Sequence, residues 1–111
     1  MASIKMMRGD SYIVPIELKQ NGVPLTSGMV TDVEVCVGDA LRKTFSGGGV
    51  GFDTVTKRWY IRPTQAETLA MEPGSYHVIA RVKYSNTDPA DVVGLVVGMI
   101  IISDTNSEEV I

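Results

Sequence analysis

Few side chains in this sequence could perform acid–base or nucleophilic chemistry, and none of them stands in a catalytic motif. His77 is the only histidine and Cys36 is the only cysteine. His77 lies within an alternating run, which predicts a solvated strand residue rather than a general base. Cys36 lies in an apolar, strand-like run, which favours a buried structural thiol. The sequence has no G-x-S-x-G or H-E-x-x-H motif, so we predict a protein that is not an enzyme.

Patterns that could hold a phosphate or a metal ion are incomplete. The glycine-rich stretch 47–51 lacks the lysine and hydroxyl of a phosphate-binding loop, and it predicts a mobile hairpin loop instead. Asp88 and Asp91 supply too few oxygen ligands for a calcium loop. A single histidine excludes a histidine-rich metal site. We therefore expect no metal ion and no cofactor.

Two short patterns point to binding rather than catalysis. Arg8-Gly9-Asp10 matches a tripeptide used by cell-adhesion ligands, but its place between two predicted strands favours a simple turn. Lys57-Arg58-Trp59-Tyr60 mixes cations with aromatic rings, as proteins that bind sugars or single-stranded nucleic acids do. In a strand Trp59 and Tyr60 would point to opposite faces, and we favour core packing for Trp59.

The composition sets limits on the class of protein. With 111 residues, of which 44% are hydrophobic, the chain fits a single folded domain over residues 1–111. Its net charge of −3 and scattered basic residues argue against nucleic acid as a partner. The longest apolar run has 11 residues, whereas a membrane-spanning helix needs about 20. The first residues contain no apolar run long enough for a signal peptide, so we expect none.

The elements that position these residues are predicted to be strands. In the alternating stretch 11–20, one face carries Tyr12, Val14, Ile16 and Leu18. Pro15 favours a sheet edge or a bulge for this strand, because proline cannot donate to a strand ladder. Asn21-Gly22 then predicts a tight turn.

The remaining pattern predicts a β-sandwich. Further strands are expected at 30–37, 41–45, 50–52, 58–62, 76–84 and 92–102. Thr64 and Glu67 have the spacing of a capping box, which predicts one short helical turn near residues 65–70. Asn86-Thr87-Asp88-Pro89 predicts the turn into the final strand. About seven strands at a spacing near ten residues predict an all-β, immunoglobulin-like sandwich.

The final predicted strand is unusual because both of its faces are apolar. A sandwich strand with one solvated face should alternate, yet the stretch 92–102 carries only apolar residues and two glycines. Either a bulge changes the phase of the strand, or another chain covers its outer face, and we favour the second explanation. The candidate protein interface consists of Val92, Val93, Leu95, Val96, Val97, Met99 and Ile101.

Several segments of the chain resemble small structural proteins of tailed bacteriophages and prophages. The segments are Thr64-Gln65-Ala66-Glu67-Thr68-Leu69, the strand from Pro73 to Lys83, the strand from Val92 to Ile102, and Glu108-Glu109-Val110-Ile111. Residues 4–18 are similar to the family's opening, a basic-Gly-Asp turn followed by an alternating strand. The family resembles the immunoglobulin-like N-terminal domain of phage upper baseplate proteins. The resemblance implies a structural role and supplies no catalytic or binding residue.

Together these observations give two functional expectations. The first is a non-enzymatic component of a phage or prophage tail, made in the bacterial cytoplasm and located in the virion. It is expected to pack against itself or against other tail proteins as a homo-oligomer. The second is a carbohydrate-binding or adhesion module on a bacterial surface, for which Trp59, Tyr60 and Tyr84 are the candidate aromatic residues.

Overall fold

Strands dominate the computed structural model, which describes residues 2–11, 13–84 and 92–104. The strands are β1 (Ala2–Met7), β2 (Val14–Ile16), β3 (Lys19–Gln20), β4 (Val23–Pro24), β5 (Asp32–Val37), β6 (Leu41–Thr44), β7 (Val50–Asp53), β8 (Arg58–Ile61), β9 (Gly74–Lys83) and β10 (Val92–Ser103). One α-helix, α1 (Gln65–Leu69), and one 3-10 turn (Ser27–Met29) interrupt them.

The strands form the two layers of a sandwich. The larger sheet has the order β1-β10-β9-β5-β6, the smaller has the order β2-β8-β7, and β3 and β4 form a separate hairpin. In the nomenclature of immunoglobulin variable domains, β2, β8 and β7 correspond to strands B, E and D. The neighbouring strands β10, β9, β5 and β6 of the larger sheet then correspond to G, F, C and C′. β1 completes it by pairing in parallel with β10. The predicted all-β, immunoglobulin-like sandwich is confirmed.

The hydrophobic core lies between the two sheets and follows from strand alternation. In β5 the buried residues are Val33, Val35 and Val37, and in β9 they are Val78, Ala80 and Val82. The smaller sheet contributes Val14, Ile16, Trp59 and Ile61. Each set is spaced by two residues, because successive side chains of a strand point to opposite faces.

Trp59 is a core residue, as the sequence favours. Its ring centroid lies 5.1 Å from that of Phe45 and 4.8 Å from that of Phe52. Its indole Nε1–H donates to the carbonyl oxygen of Leu25 at 2.9 Å. The ring therefore ties the smaller sheet to the chain that follows the β3–β4 hairpin.

Two local sequence signals are confirmed. Thr64 and Glu67 form a complete capping box, in which each side chain accepts from the other residue's backbone N–H. Asn21 and Gly22 form the β3–β4 turn with φ angles of 52° and 79°. Positive φ at both central positions is the geometry of the tight turns that close two-residue hairpins.

Two predictions about strands and loops need correction. Within the predicted strand 11–20, burial alternates from Ile13 to Leu18, but the ladder to β8 covers only Val14–Ile16. Of the four residues of β8, only Trp59, Tyr60 and Ile61 pair with β2. Pro15 lies on an edge strand, as predicted. The glycine-rich stretch leads from β6 in one sheet to β7 in the other, so it is a crossover between the layers and not a hairpin loop.

Some predictions fall outside the described residues. They concern Tyr12, the turn at Asn86-Thr87-Asp88-Pro89, the carboxylates of Asp88 and Asp91, and the segment Glu108-Glu109-Val110-Ile111.

The start of β9 carries a tyrosine corner that the sequence patterns did not predict. The hydroxyl of Tyr76 donates to the carbonyl oxygen of Glu72 at 2.5 Å. Immunoglobulin-like domains place such a tyrosine near the start of strand F, two residues before the second cysteine of antibody domains. Val78, a buried core residue, occupies that cysteine position here.

Removing the Tyr76 hydroxyl is expected to destabilise the domain. We expect Tyr76→Phe to lower the free energy of unfolding by about 1 kcal/mol, the typical contribution of one such hydrogen bond. Urea denaturation followed by circular dichroism measures this change. Tyr60→Phe is the matched control, because no hydrogen bond of the Tyr60 hydroxyl is seen among the described residues. Equal stability of Tyr76→Phe and wild type would show that the corner is not stabilising.

Candidate protein interface

A β-bulge divides β10 into two halves. Val96 pairs with Ile79 and Gly98 pairs with Val78, so Val97 is an extra residue without a partner in β9. The bulge reverses the phase of the strand. Before it, Val93 is half-buried and Val92 is exposed, whereas after it the even-numbered positions are buried. The bulge, the less favoured of the two explanations, therefore accounts for part of the missing alternation.

The bulge distributes the seven predicted interface residues over both faces of the larger sheet. Four of them pair with outward-facing residues of β9 and lie on the outer face: Val92, Val96, Met99 and Ile101. Two pair with buried residues of β9 and lie on the inner face, Val93 and Leu95. The seventh, Val97, is at the bulge. A change of phase explains why the inner positions shift from odd to even numbers. It does not explain why the four outer positions are apolar.

The outer face of β10 carries a row of apolar side chains, and together with Ile79 of β9 we call them the outer patch. It consists of Ile79, Val92, Val96, Met99 and Ile101. Val96 is 56% exposed, Val92 is 47% exposed, and Ile79 in β9 is 41% exposed. Gly94 lies between the two valines, and a Cβ added there would meet no other atom within 4 Å, so the surface is open at this point too. Sequence analysis missed Ile79, although its odd-numbered position in β9 would have placed it outside.

Charged residues border the outer patch on β5 and its neighbours. Glu34 lies 2.6 Å from the Arg42 guanidinium and 3.6 Å from that of Arg81. The hydrogen bond from Arg42, aided by the positive charges of Arg42 and Arg81, holds the pKa of Glu34 below its ordinary value despite partial desolvation. The outer face is therefore apolar on β10 and polar on β5, which resembles the core and rim of a protein interface.

Cys36 lies on this outer face, between the apolar and the charged regions. It pairs with Ile79 and is half-buried, so it is not the core residue that its apolar neighbours suggested. The alternation of β5 sends Val35 and Val37 inward and Cys36 outward. Partial burial raises the pKa of the Cys36 thiol, and the nearby carboxylate of Glu34 raises it further. The thiol is therefore held in its protonated, less reactive form.

One side of the sandwich is open beside the first half of β10. β1 pairs with β10 only from Gly98 to Ser103. Along Val92–Val97 no strand of the described residues occupies that edge. A groove of about 760 Å³ opens there between the sheets. Leu95 and Val97 form one wall, and Ile16 and Leu18 contribute to the opposite wall.

The Arg8-Gly9-Asp10 tripeptide is a structural turn. The Arg8 guanidinium donates to the carbonyl oxygen of Leu69 at 2.7 Å and forms an ion pair with Asp104 at 3.0 Å. A carboxylate oxygen of Asp10 accepts from the backbone N–H of Met7. Both charged side chains of the tripeptide therefore have partners within the domain.

The remaining candidate residues are not gathered into a site. His77 is exposed on β9, as predicted, and Tyr84 donates its hydroxyl hydrogen bond to Gln20. Within the ranges that the structure describes, no three histidine, cysteine, aspartate or glutamate side chains are grouped to hold a metal ion. Among the same residues, no helix is long and apolar enough to cross a membrane.

Comparison of the chain with protein-family models, with curated proteins and with solved structures finds no match.

Proposed function

We propose that this protein is a non-enzymatic assembly component that self-associates through the outer patch. The observation that carries the proposal is the exposed apolar surface of Ile79, Val92 and Val96 on a sandwich whose core is complete without them. Contiguous apolar surface on a folded domain is a typical mark of a protein–protein interface. A strand with such a surface is also an aggregation hazard when nothing covers it.

The arrangement of charge supports a specific contact over nonspecific aggregation. The apolar residues occupy β10 and a single outer position of β9, Ile79, whereas Arg81 and Lys83 of β9 pair with Gly94 and Val92. The Glu34–Arg42 pair lies on the far side of β9. A polar border limits the area that a partner can cover and favours one orientation. Two copies related by a twofold axis would bury the same patch on each side, which is the commonest closed arrangement of identical chains.

The biological context we propose is the tail of a bacteriophage or prophage, with the protein located in the virion. This part of the proposal is supported by the resemblance of the α1 region, β9 and β10 to small phage structural proteins. Genes for other tail proteins are expected beside the gene for this chain. Neighbouring genes for polysaccharide uptake would instead favour the carbohydrate-binding alternative.

Self-association through the outer patch is tested by solution mass. We expect wild type to be oligomeric by size exclusion with light scattering. Ile79→Lys and Val96→Lys should both yield folded monomers, because each places a charge inside the apolar contact. Val55→Lys is the matched control, since Val55 is 88% exposed in the β7–β8 turn, away from the patch.

Circular dichroism of all three variants separates loss of assembly from loss of folding. A monomeric wild type would refute self-association. A wild-type oligomer that both patch variants retain would refute the outer patch as its contact.

A further inference from the structure

The groove beside β10 has the dimensions and lining of a site for an extended chain. Its floor contains Trp59 and Leu25, and its walls come from both sheets. A volume of about 760 Å³ is within the range of small-ligand pockets, but this groove runs along a strand edge. Apolar walls on both sides suit side chains that enter between the sheets.

The backbone edge of β10 that is unpaired among the described residues indicates that the groove would bind an extended strand. β1 occupies the edge of β10 from Gly98 onward, and the edge of Val92–Val97 continues in the same line. Backbone N–H and C=O groups along such an edge can pair with an added strand. The edge of β2 is less suited to this role, because Pro15 has no N–H to donate. In an added strand, alternate side chains would point into the groove.

The charges around the groove indicate the chemistry of the added strand. Lys19, Lys57 and Arg58 line it together with a single carboxylate, Glu17. Lys19 already forms an ion pair with Glu17 at 2.6 Å. The remaining lining is therefore positive, although the whole chain carries a net charge of −3. A segment with acidic residues beside its apolar ones would be complementary to it.

We propose that the edge of Val92–Val97 and the adjoining groove bind an extended segment of a partner protein. The segment adds as a strand beside β10 in line with β1, inserts alternate apolar side chains between the sheets, and places acidic side chains near Lys57 and Arg58. This site uses the edge and the inner face of β10, whereas the outer patch lies on the outer face. Val96 belongs to the patch and also lines the groove, so the test below relies on Ile79, which lies in the patch alone.

The proposal is tested with a synthetic peptide and ¹⁵N-labelled protein. The probe is an eight-residue peptide of alternating valine and threonine, preceded by two glutamates, and its control carries two lysines instead. We expect the acidic probe to shift the amide signals of Val92–Val97 and the indole signal of Trp59. We expect the lysine peptide to bind about tenfold more weakly, and the preference to shrink in high salt.

Charge reversal identifies the residues responsible. Lys57→Glu combined with Arg58→Glu should weaken binding of the acidic probe by about tenfold and reverse the preference between the peptides. Ile79→Lys should bind the probe as wild type does, even where it abolishes self-association. Shifts that avoid Val92–Val97 would overturn the proposal, as would equal affinity for the two peptides. Because the two surfaces are tested by different variants, failure at the groove leaves self-association unaffected.

Discussion

Trp59→Ala is expected to lower the free energy of unfolding by about 3–5 kcal/mol, the usual cost of deleting a large buried aromatic side chain. Only 2% of Trp59 is exposed, and its ring contacts both Phe45 and Phe52. The substitution leaves a cavity between the sheets and removes the donor to the Leu25 carbonyl oxygen. Since a domain of this size is stable by about 5–15 kcal/mol, the variant should be close to unfolding.

Trp59 is the only tryptophan, so the experiment needs a probe other than its fluorescence. Urea denaturation followed by far-ultraviolet circular dichroism serves for wild type and for both variants. Trp59→Phe is the informative companion, because it keeps an aromatic ring and loses only the indole donor and part of the volume. Trp59→Phe should therefore lose less than half as much stability as Trp59→Ala. A loss below 1 kcal/mol for Trp59→Ala would show that Trp59 does not support the core.

Thr68→Val is expected to lower the free energy of unfolding by about 2 kcal/mol, although valine has nearly the same shape as threonine. Thr68 is fully buried in α1. Its hydroxyl accepts from the N–H of Gly9 and donates to the carbonyl oxygen of Asp10, both at 2.9 Å. Valine leaves both backbone groups without this partner, and an unsatisfied polar group away from water is costly.

Thermal unfolding of three variants distinguishes the hydroxyl from packing. Thr68→Ser should recover most of the stability lost in Thr68→Val, because serine keeps the hydroxyl and loses only a methyl group. Thr54→Val in the exposed β7–β8 turn should be neutral. If Thr68→Ser is as unstable as Thr68→Val, the methyl group matters and the bridge from α1 to the Arg8–Asp10 turn does not.

Local signals in the sequence predicted the local elements well. The capping box at Thr64 and Glu67 and the Asn21-Gly22 turn depend on residues within three positions of one another. The same holds for alternation in β5 and β9, where one face is buried and the other is solvated. Such features need no knowledge of the partner strand, so they can be predicted from one sequence.

Features that depend on distant residues could not be predicted in this way. The bulge at Val97 appears only when β10 is set beside β9, because apolar residues on both faces hide the change of phase. The parallel pairing of β1 with β10 joins Ala2 to Gly98, and no local pattern announces it. For the candidate interface, sequence analysis singled out a strand but could not separate its two faces. Separating Val92 and Val96 from Val93 and Leu95 required the register with β9.

The pairing of β1 with β10 also has a consequence for the order in which the protein can form. Among the described strands, the one that is synthesised first, β1, is held by the one that is synthesised last, β10. Until β10 has emerged, β1 has no partner in the larger sheet, and β9 lacks one of its two neighbours. Contacts between such distant segments slow folding, because the long intervening chain must be closed before they form. The nascent chain therefore carries unpaired edges on β1 and β9 until β10 has been made, and its solubility in the cell should depend on how quickly β10 then docks.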